Sequence, residues 1–184
     1  IRLLDSDSGT PFAEAIAAAD GSYHVPVPMD RSFVVMAEAT GHMLLSERIE
    51  AREGFVRLVR DFDLNPLKAG SEAVLRNVFF ESGSAALDPA SHVELERVGL
   101  WLSAHSTVVM EVGGHTDDVG SEAENMLLSE QRAEAVKGAL QKAGVEADQL
   151  VAKGYGQSKP AVLGRSDAAR QQTRRPTLNG LPPR

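Results

Sequence analysis

The chain is expected to be a mixed α+β / α/β protein, with a βαβαβ two-layer domain preceded by a small all-β sandwich domain. Three observations predict this. Residues 1–66 hold short hydrophobic runs separated by turn signals, several of them alternating at period two. The rest of the chain alternates strand-like runs with helical patterns, the rhythm of a sheet covered by helices. Between the halves lies NPLKAGSE, residues 65–72, a polar stretch with proline and glycine. The expected bounds are a sandwich over 1–66, a linker over 67–74, the two-layer domain over 75–178 and a disordered tail over 179–184.

In the first half, RLL is followed by the turn sequence DSDSGTP, and Tyr23, Val25 and Val27 then alternate within DGSYHVPVP. SFVVMAEA, HMLLSERIE and FVRLVRDFDL continue the series, with Val56, Leu58, Arg60 and Phe62 on one face of the last. Strands at this spacing without long helices predict an antiparallel sandwich. The alanine-rich run AEAIAAA, residues 13–19, reads as helix and interrupts the pattern.

In the second half VLRNVFF reads as a strand. Asp88 and Pro89 supply an N-cap and a first-turn proline, and Leu95, Val98 and Leu102 space the core stripe of the helix they open. TVVMEV is the next strand. A helix over about 121–143 stops at Gly144, a natural C-terminal cap. Leu150 to Tyr155 form a third strand, and a short polar helix is expected near 166–172 before TRRPTL, a last strand. Pro176 cannot donate to a ladder, so that strand should lie at an edge or end early.

Composition excludes several classes. A net charge of −7 argues against a nucleic-acid binder, and neither half is basic: residues 1–66 hold 6 basic and 11 acidic side chains, and residues 67–184 hold 13 and 15. With no cysteine there is no disulfide framework, thiol nucleophile or Cys-based metal site. Apolar runs such as AIAAA and FVVMA fall far short of the ~18 residues that mark a membrane helix. The chain opens on Ile1 rather than Met, which reads as a processed protein or an excised fragment, so a missing leader carries no information on export.

The stretch GGHTDDVGSEAENMLLSEQRA, residues 113–133, carries the chemistry. At about 100° per residue, the 121–143 helix gathers Leu128, Ala135, Val136, Ala139, Leu140 and Ala143 on one apolar face. Asn125, Ser129 and Arg132 share that face nearer its N-terminal end, and inward polar groups need partners. Asp117, in the preceding loop, is the nearest candidate partner for Arg132. Two readings follow. Asp117 caps or charges the helix start with Arg132 salt-bridged to it; or both stay open, Asp117 for an ammonium and Arg132 for a carboxylate gripped in bidentate fashion. The second geometry selects a zwitterion with both groups on one carbon.

Other constellations in this stretch are weaker. His115, Asp117, Asp118 and Glu122 match no zinc or EF-hand spacing, so no metal site is expected, and His24, His42, His92 and His105 are scattered surface positions. GGHTDD lacks the Lys-Ser/Thr ending of a phosphate loop, and its acids would repel phosphate. Ser129 has no histidine partner for a triad, and no pair of carboxylates stands out for glycoside hydrolysis. Tyr155, Phe79 and Phe80 read as packing residues. Arg174 and Arg175 read as a solvated basic edge, or as a pocket wall if the strand topology gathers loops at one end of the sheet.

Several motifs in order over residues 75–178 resemble the OmpA-like (OmpA/Pal/MotB C-terminal) peptidoglycan-binding domain. They are NVFFESGSAALDP, VGGHTDDVGS, the helix NMLLSEQRAEAV and the strand and loop VAKGYGQSKP. The resemblance implies a βαβαβ domain, without cofactor or catalysis, that binds the stem peptide of peptidoglycan. It implies that Asp117 and Arg132 hold the ammonium and carboxylate of a meso-diaminopimelate side chain. It places Thr116, Asn125 and Arg174 on the pocket wall, and Ser82 and Gly83 in the loop after the first strand that approaches the ligand. Two departures stand out: Thr173-Arg174-Arg175-Pro176 replaces N-R-R-V, and Glu81 replaces the usual aspartate.

DSGTPF, DGSYHVPVP, FVVMAEATGH and DFDLNPLKAG in residues 1–66 resemble a carboxypeptidase-regulatory or transthyretin-like β-sandwich, shortened between Phe12 and Asp20. The order of the two domains resembles cell-envelope proteins and implies a periplasmic location in a Gram-negative bacterium, close to the outer membrane and cell wall. The function implied is anchoring of an envelope assembly to peptidoglycan, with envelope proteins as further partners. The alternative is a protein-interaction or structural scaffold whose wall site is degenerate.

Overall fold

A computed structural model describes residues 1–27, 31–50, 57–159 and 174–182. The chain divides into two compact units, Ile1–Pro66 and Leu67–Arg184.

The first unit is built on an antiparallel sheet of β1 (Arg2–Asp5), β2 (Pro11–Glu14), β3 (Phe33–Ala37) and β4 (Leu45–Ile49), in the order β2-β1-β3-β4. Successive side chains on a strand point to opposite faces. Leu3, Phe33, Val35 and Ile49 therefore form one buried cluster, and Leu4, Val34 and Met36 form another. The β1–β2 turn is held by Asp5, whose Oδ1 accepts the backbone N–H groups of Asp7 and Ser8 at 3.1 and 2.9 Å.

AEAIAAA is not helical. Ala13 and Glu14 belong to β2, paired with Leu3 and Arg2, and Ile16 beyond them is 91% exposed. Alanine's helix preference amounts to a few tenths of a kcal/mol per residue over most alternatives. It yields here to the β1 ladder and to the edge-to-face contact of Phe12 with Phe33, 6.2 Å between centroids. The expected strands around 23–27 and 57–62 join no ladder, while Val56 lies outside the described residues. Val25, Val27, Leu58 and Phe62 nonetheless pack on the Leu3 cluster, and Tyr23 donates its hydroxyl to the Arg60 carbonyl at 2.7 Å. Hydrophobic periodicity thus picked out Val25, Val27, Leu58 and Phe62 as inward, whereas Arg60 of the same expected face is exposed, and among the described residues these segments pair into no second sheet.

The second unit contains β5 (Glu72–Val74), α1 (Ala90–Ala104), β6 (Met110–Gly114), α2 (Glu122–Lys142), β7 (Leu150–Gly154) and β8 (Thr177–Gly180), with one 3-10 turn, Ala147–Gln149, ahead of β7. The sheet order is β5-β8-β6-β7. Strands β6 and β7 are parallel, and β8 runs antiparallel to both β5 and β6. Parallel neighbours need a long crossover, which α2 provides. Leu95 and Leu102 of α1, Met110 and Val112 of β6, and Val136 and Leu140 of α2 are fully enclosed in the core. Helical dihedrals start at Pro89, and Asp88 Oδ1 accepts the Ala90 N–H at 2.9 Å, so the pair opens α1 as its sequence implies.

Four expectations are corrected. The segment 67–74 contains β5, and of VLRNVFF only Val74 is in a strand; the Val78 N–H turns back to the Leu75 carbonyl instead. The last strand is interior, between β5 and β6, because Pro176 stands just outside the ladder and its missing N–H removes no rung. The chain beyond 178 is also ordered through Leu181: the Gly180 N–H donates to the Ser71 carbonyl at 2.8 Å, and the Leu181 N–H to the Val109 carbonyl at 2.9 Å. The expected helix near 166–172 lies outside the described residues.

Candidate functional site

The site forms where the parallel strands β6 and β7 end and α2 begins, the edge at which open sheets with helical crossovers collect loops. Glycines bring the helix there. A Cβ on Gly114 would collide with the Ser129 carbonyl, and one on Gly154 would lie 2.6 Å from Ser129 Oγ. Ser121 caps α2 by a reciprocal pair, its Oγ accepting the Glu124 N–H while the Glu124 carboxylate accepts the Ser121 N–H. That capping role belongs to Ser121 and not to Asp117.

The three inward polar residues of α2 are all buried and all engaged. Asn125 Nδ2 donates to the Asp117 carbonyl at 3.3 Å and to Gln157 Oε1 at 3.0 Å, tying together the loops after β6 and β7. Ser129 donates to the Met126 carbonyl at 2.7 Å and accepts the Gly156 N–H at 2.8 Å, which commits its hydroxyl to structure. Arg132, 3% exposed, donates through Nε to the Ser84 carbonyl at 3.0 Å and through Nη1 to the His115 carbonyl at 3.4 Å. Its guanidinium carbon stands 5.0 Å from the Phe80 ring centroid.

Asp117 and Arg132 are thus in one locale without being bonded to each other. Among the described residues the ion-pair partner of the Asp117 carboxylate is Arg174, at 3.6 Å, and Arg132 has no carboxylate partner. Asp117 also accepts the Val119 N–H at 3.2 Å, which fixes its rotamer. Burial lowers the pKa of Arg132, as does the charge of Arg174, while Asp117 opposes both. Two guanidiniums and one carboxylate therefore feel one another.

The remaining predicted residues divide. Thr116 is 2% exposed; its N–H donates to the Gly156 carbonyl at 3.0 Å, and its Oγ1 is buried without a hydrogen-bond partner among the described residues. Ser82 and Gly83 are exposed on the turn after Phe80, where Gly83 takes φ +66°, and neither reaches Arg132; the carbonyl that does belongs to Ser84. Sequence reasoning missed Ser84, Gln157 and the aromatic face of Phe80. The first acts through its backbone, which leaves no residue-type signal.

His115 braces the site from the opposite side of β6. Its ring faces the Lys159 carbonyl at 3.1 Å and Thr177 Oγ1 at 3.2 Å, and stacks on Tyr155 at 5.3 Å. The carbonyl contact assigns the proton to Nδ1, leaving Nε2 to accept from Thr177. Burial holds the imidazole below its ordinary pKa, against the upward pull of Glu72 and Glu111. The Tyr155 hydroxyl in turn donates to Glu111, and burial together with that bond pushes the phenol up to about 12. Among the described residues no group of three His, Asp or Glu side chains is placed to hold a metal.

The arrangement sets a fixed, buried guanidinium in the same locale as a half-buried carboxylate, with backbone carbonyls and an aromatic ring around it. The chain spans 55% of the peptidoglycan-associated lipoprotein of Haemophilus influenzae, with 40% identity over 84 residues, 46% of this chain. It spans 30% of outer membrane porin F of Pseudomonas fluorescens, with 33% identity over 99 residues, 54% of this chain. Among solved structures, the peptidoglycan-associated lipoprotein of Burkholderia pseudomallei matches with TM-score 0.53 and 32% identity, over 56% of this chain and 87% of that one. The profile of the OmpA family matches residues 79–174, just over half of the chain and all of the site from Phe80 to Arg174, so the chain belongs to the OmpA family.

Proposed function

We propose that the second unit binds peptidoglycan without cutting it, through the zwitterionic terminus of meso-diaminopimelate in the stem peptide, and so anchors an envelope assembly to the cell wall. One observation carries the reading: Arg132 is buried, rigidly held, and among the described residues has no carboxylate paired with it. A buried charge without a counter-ion is costly, and a ligand carboxylate would relieve that cost. Asp117, whose Coulombic effect reaches Arg132, is the acceptor for the ammonium on the same carbon. Relatives named as peptidoglycan-associated lipoproteins and as an outer membrane porin support wall binding in the periplasm near the outer membrane.

Two charge-assisted contacts with peripheral ones correspond to roughly micromolar to millimolar affinity. A polymer presenting many sites turns such weak contacts into firm retention. The Arg174–Asp117 contact favours a second reading, an interaction scaffold whose wall site is closed by an internal ion pair. Titration with a stem tetrapeptide followed by amide chemical shifts separates the two. Saturable shifts centred on Asp117 and Arg132 support wall binding, and unchanged spectra at millimolar peptide support the scaffold.

A further inference from the structure

Among the described residues the charge count of the site is uneven. Arg132 and Arg174 are cations, Asp117 is an anion paired with Arg174, and the charges of Arg174 and Asp117 both bear on Arg132. The surplus is positive in a chain whose net charge is −7. A zwitterion brings one charge of each sign and leaves this surplus as it was. Its ammonium also competes for the carboxylate that Arg174 occupies in the free protein, at 3.6 Å. Once that contact is exchanged, Arg174 is a released guanidinium at the pocket rim, 37% exposed, beside a buried one. A planar fork in that position is suited to a further carboxylate.

Resting on the reading above, we propose that Arg174 is a specificity residue that selects ligands carrying a second carboxylate besides the zwitterionic terminus. It exchanges Asp117 for that carboxylate when the ammonium arrives. The ligand class is then an amino-acid zwitterion with one further free carboxylate beside it, a stem peptide with that carboxyl group free, in preference to one amidated there. The swap keeps every charge paired: ammonium with Asp117, one carboxylate with Arg132, the other with Arg174. Discrimination lives at the rim, where the partially solvated Arg174 can move, while Arg132 is fixed by the Ser84 and His115 carbonyls.

The test is calorimetric titration of the whole chain with three synthetic peptides. They are L-alanyl-γ-D-glutamyl-meso-diaminopimelyl-D-alanine, its glutamyl α-carboxamide and its C-terminal carboxamide, each against the wild type and Arg174→Gln. Amide spectra of the variant check that the fold is retained. One of the two amidations is expected to weaken wild-type binding about five- to tenfold, as for loss of one partly solvated charge-assisted contact. The same amidation should change the variant's affinity less than twofold. Equal wild-type binding of all three peptides, or an unchanged preference in Arg174→Gln, overturns the proposal and leaves the zwitterion site standing. Tighter binding of every peptide by the variant makes Arg174 only a lock on Asp117 and also overturns it. Failure of the wild type to bind any of the three removes the zwitterion site itself.

Discussion

Arg132 and His115 show how much a single side chain can do here through backbone carbonyls. Arg132→Lys keeps the charge but loses the planar fork that meets the Ser84 and His115 carbonyls together. Binding to purified sacculi is expected to fall by more than tenfold, with amide spectra checking that the fold is retained; retention of Arg132→Lys at the wild-type level would refute the bidentate role. Asp117→Asn should lose binding similarly, because its amide oxygen accepts a hydrogen bond from an ammonium but carries no counter-charge for it. For His115 the sign of the pH effect follows from its lowered pKa. The unfolded chain binds the proton more readily than the folded one, so the neutral ring's contribution is fully present above 6.5 and declines as pH falls below that value toward the folded pKa. Melts between pH 8 and 5 should therefore show a loss of stability on acidification that is shallower in His115→Gln. An equal slope in the variant would place the effect elsewhere.

Helix α2 was legible because its signals are local. Gly144 takes φ +98° just past the end, and the 3.6-residue period puts Asn125, Ser129 and Arg132 inward, whereas the capping box of Ser121 and Glu124 was passed over in favour of Asp117. Ser121→Ala should cost about 1 kcal/mol of stability, read as a lowered denaturation midpoint. Gly114→Ala should cost more, since its methyl group would meet the Ser129 carbonyl and push α2 off β6; stability and sacculus binding should fall together. The elements that sequence misread are those fixed by distant partners. β8 gained its interior place from Gly113 and Ala73, far away in the chain, and β2 was recruited from an alanine-rich run by β1. The site was half legible for the same reason. Periodicity and the resemblance named Asp117 and Arg132, but nothing in residue type marks the Ser84 carbonyl as the ligand of Arg132, or Arg174 as the partner of Asp117.

At the scale of the molecule, every contact described for the site is made within residues 67–184. Phe80 and Ser84 come from the turn after β5, His115 to Asp117 follow β6, Asn125 to Arg132 lie on α2, Gln157 follows β7 and Arg174 precedes β8. The same residues enclose a core of their own, with Leu102, Met110, Val112, Val136 and Leu140 at zero exposure, and form a separate compact unit. Residues 1–66 have a core of their own around Leu3, Phe33, Val35 and Ile49. Residues 67–184 produced alone should therefore give a dispersed amide spectrum and a cooperative melt, and should bind a stem tetrapeptide within about twofold of the whole chain's affinity, a difference of only some tenths of a kcal/mol. Starting at Leu67 matters: a version starting at residue 75, past β5, would strip the outer neighbour from β8 and expose its N–H and C=O groups, and should melt lower. If residues 67–184 fold but bind much more weakly than the whole chain, residues 1–66 take part in recognition. Retention of residues 1–66 on sacculi by themselves would give the first unit a wall affinity that nothing in the second one explains.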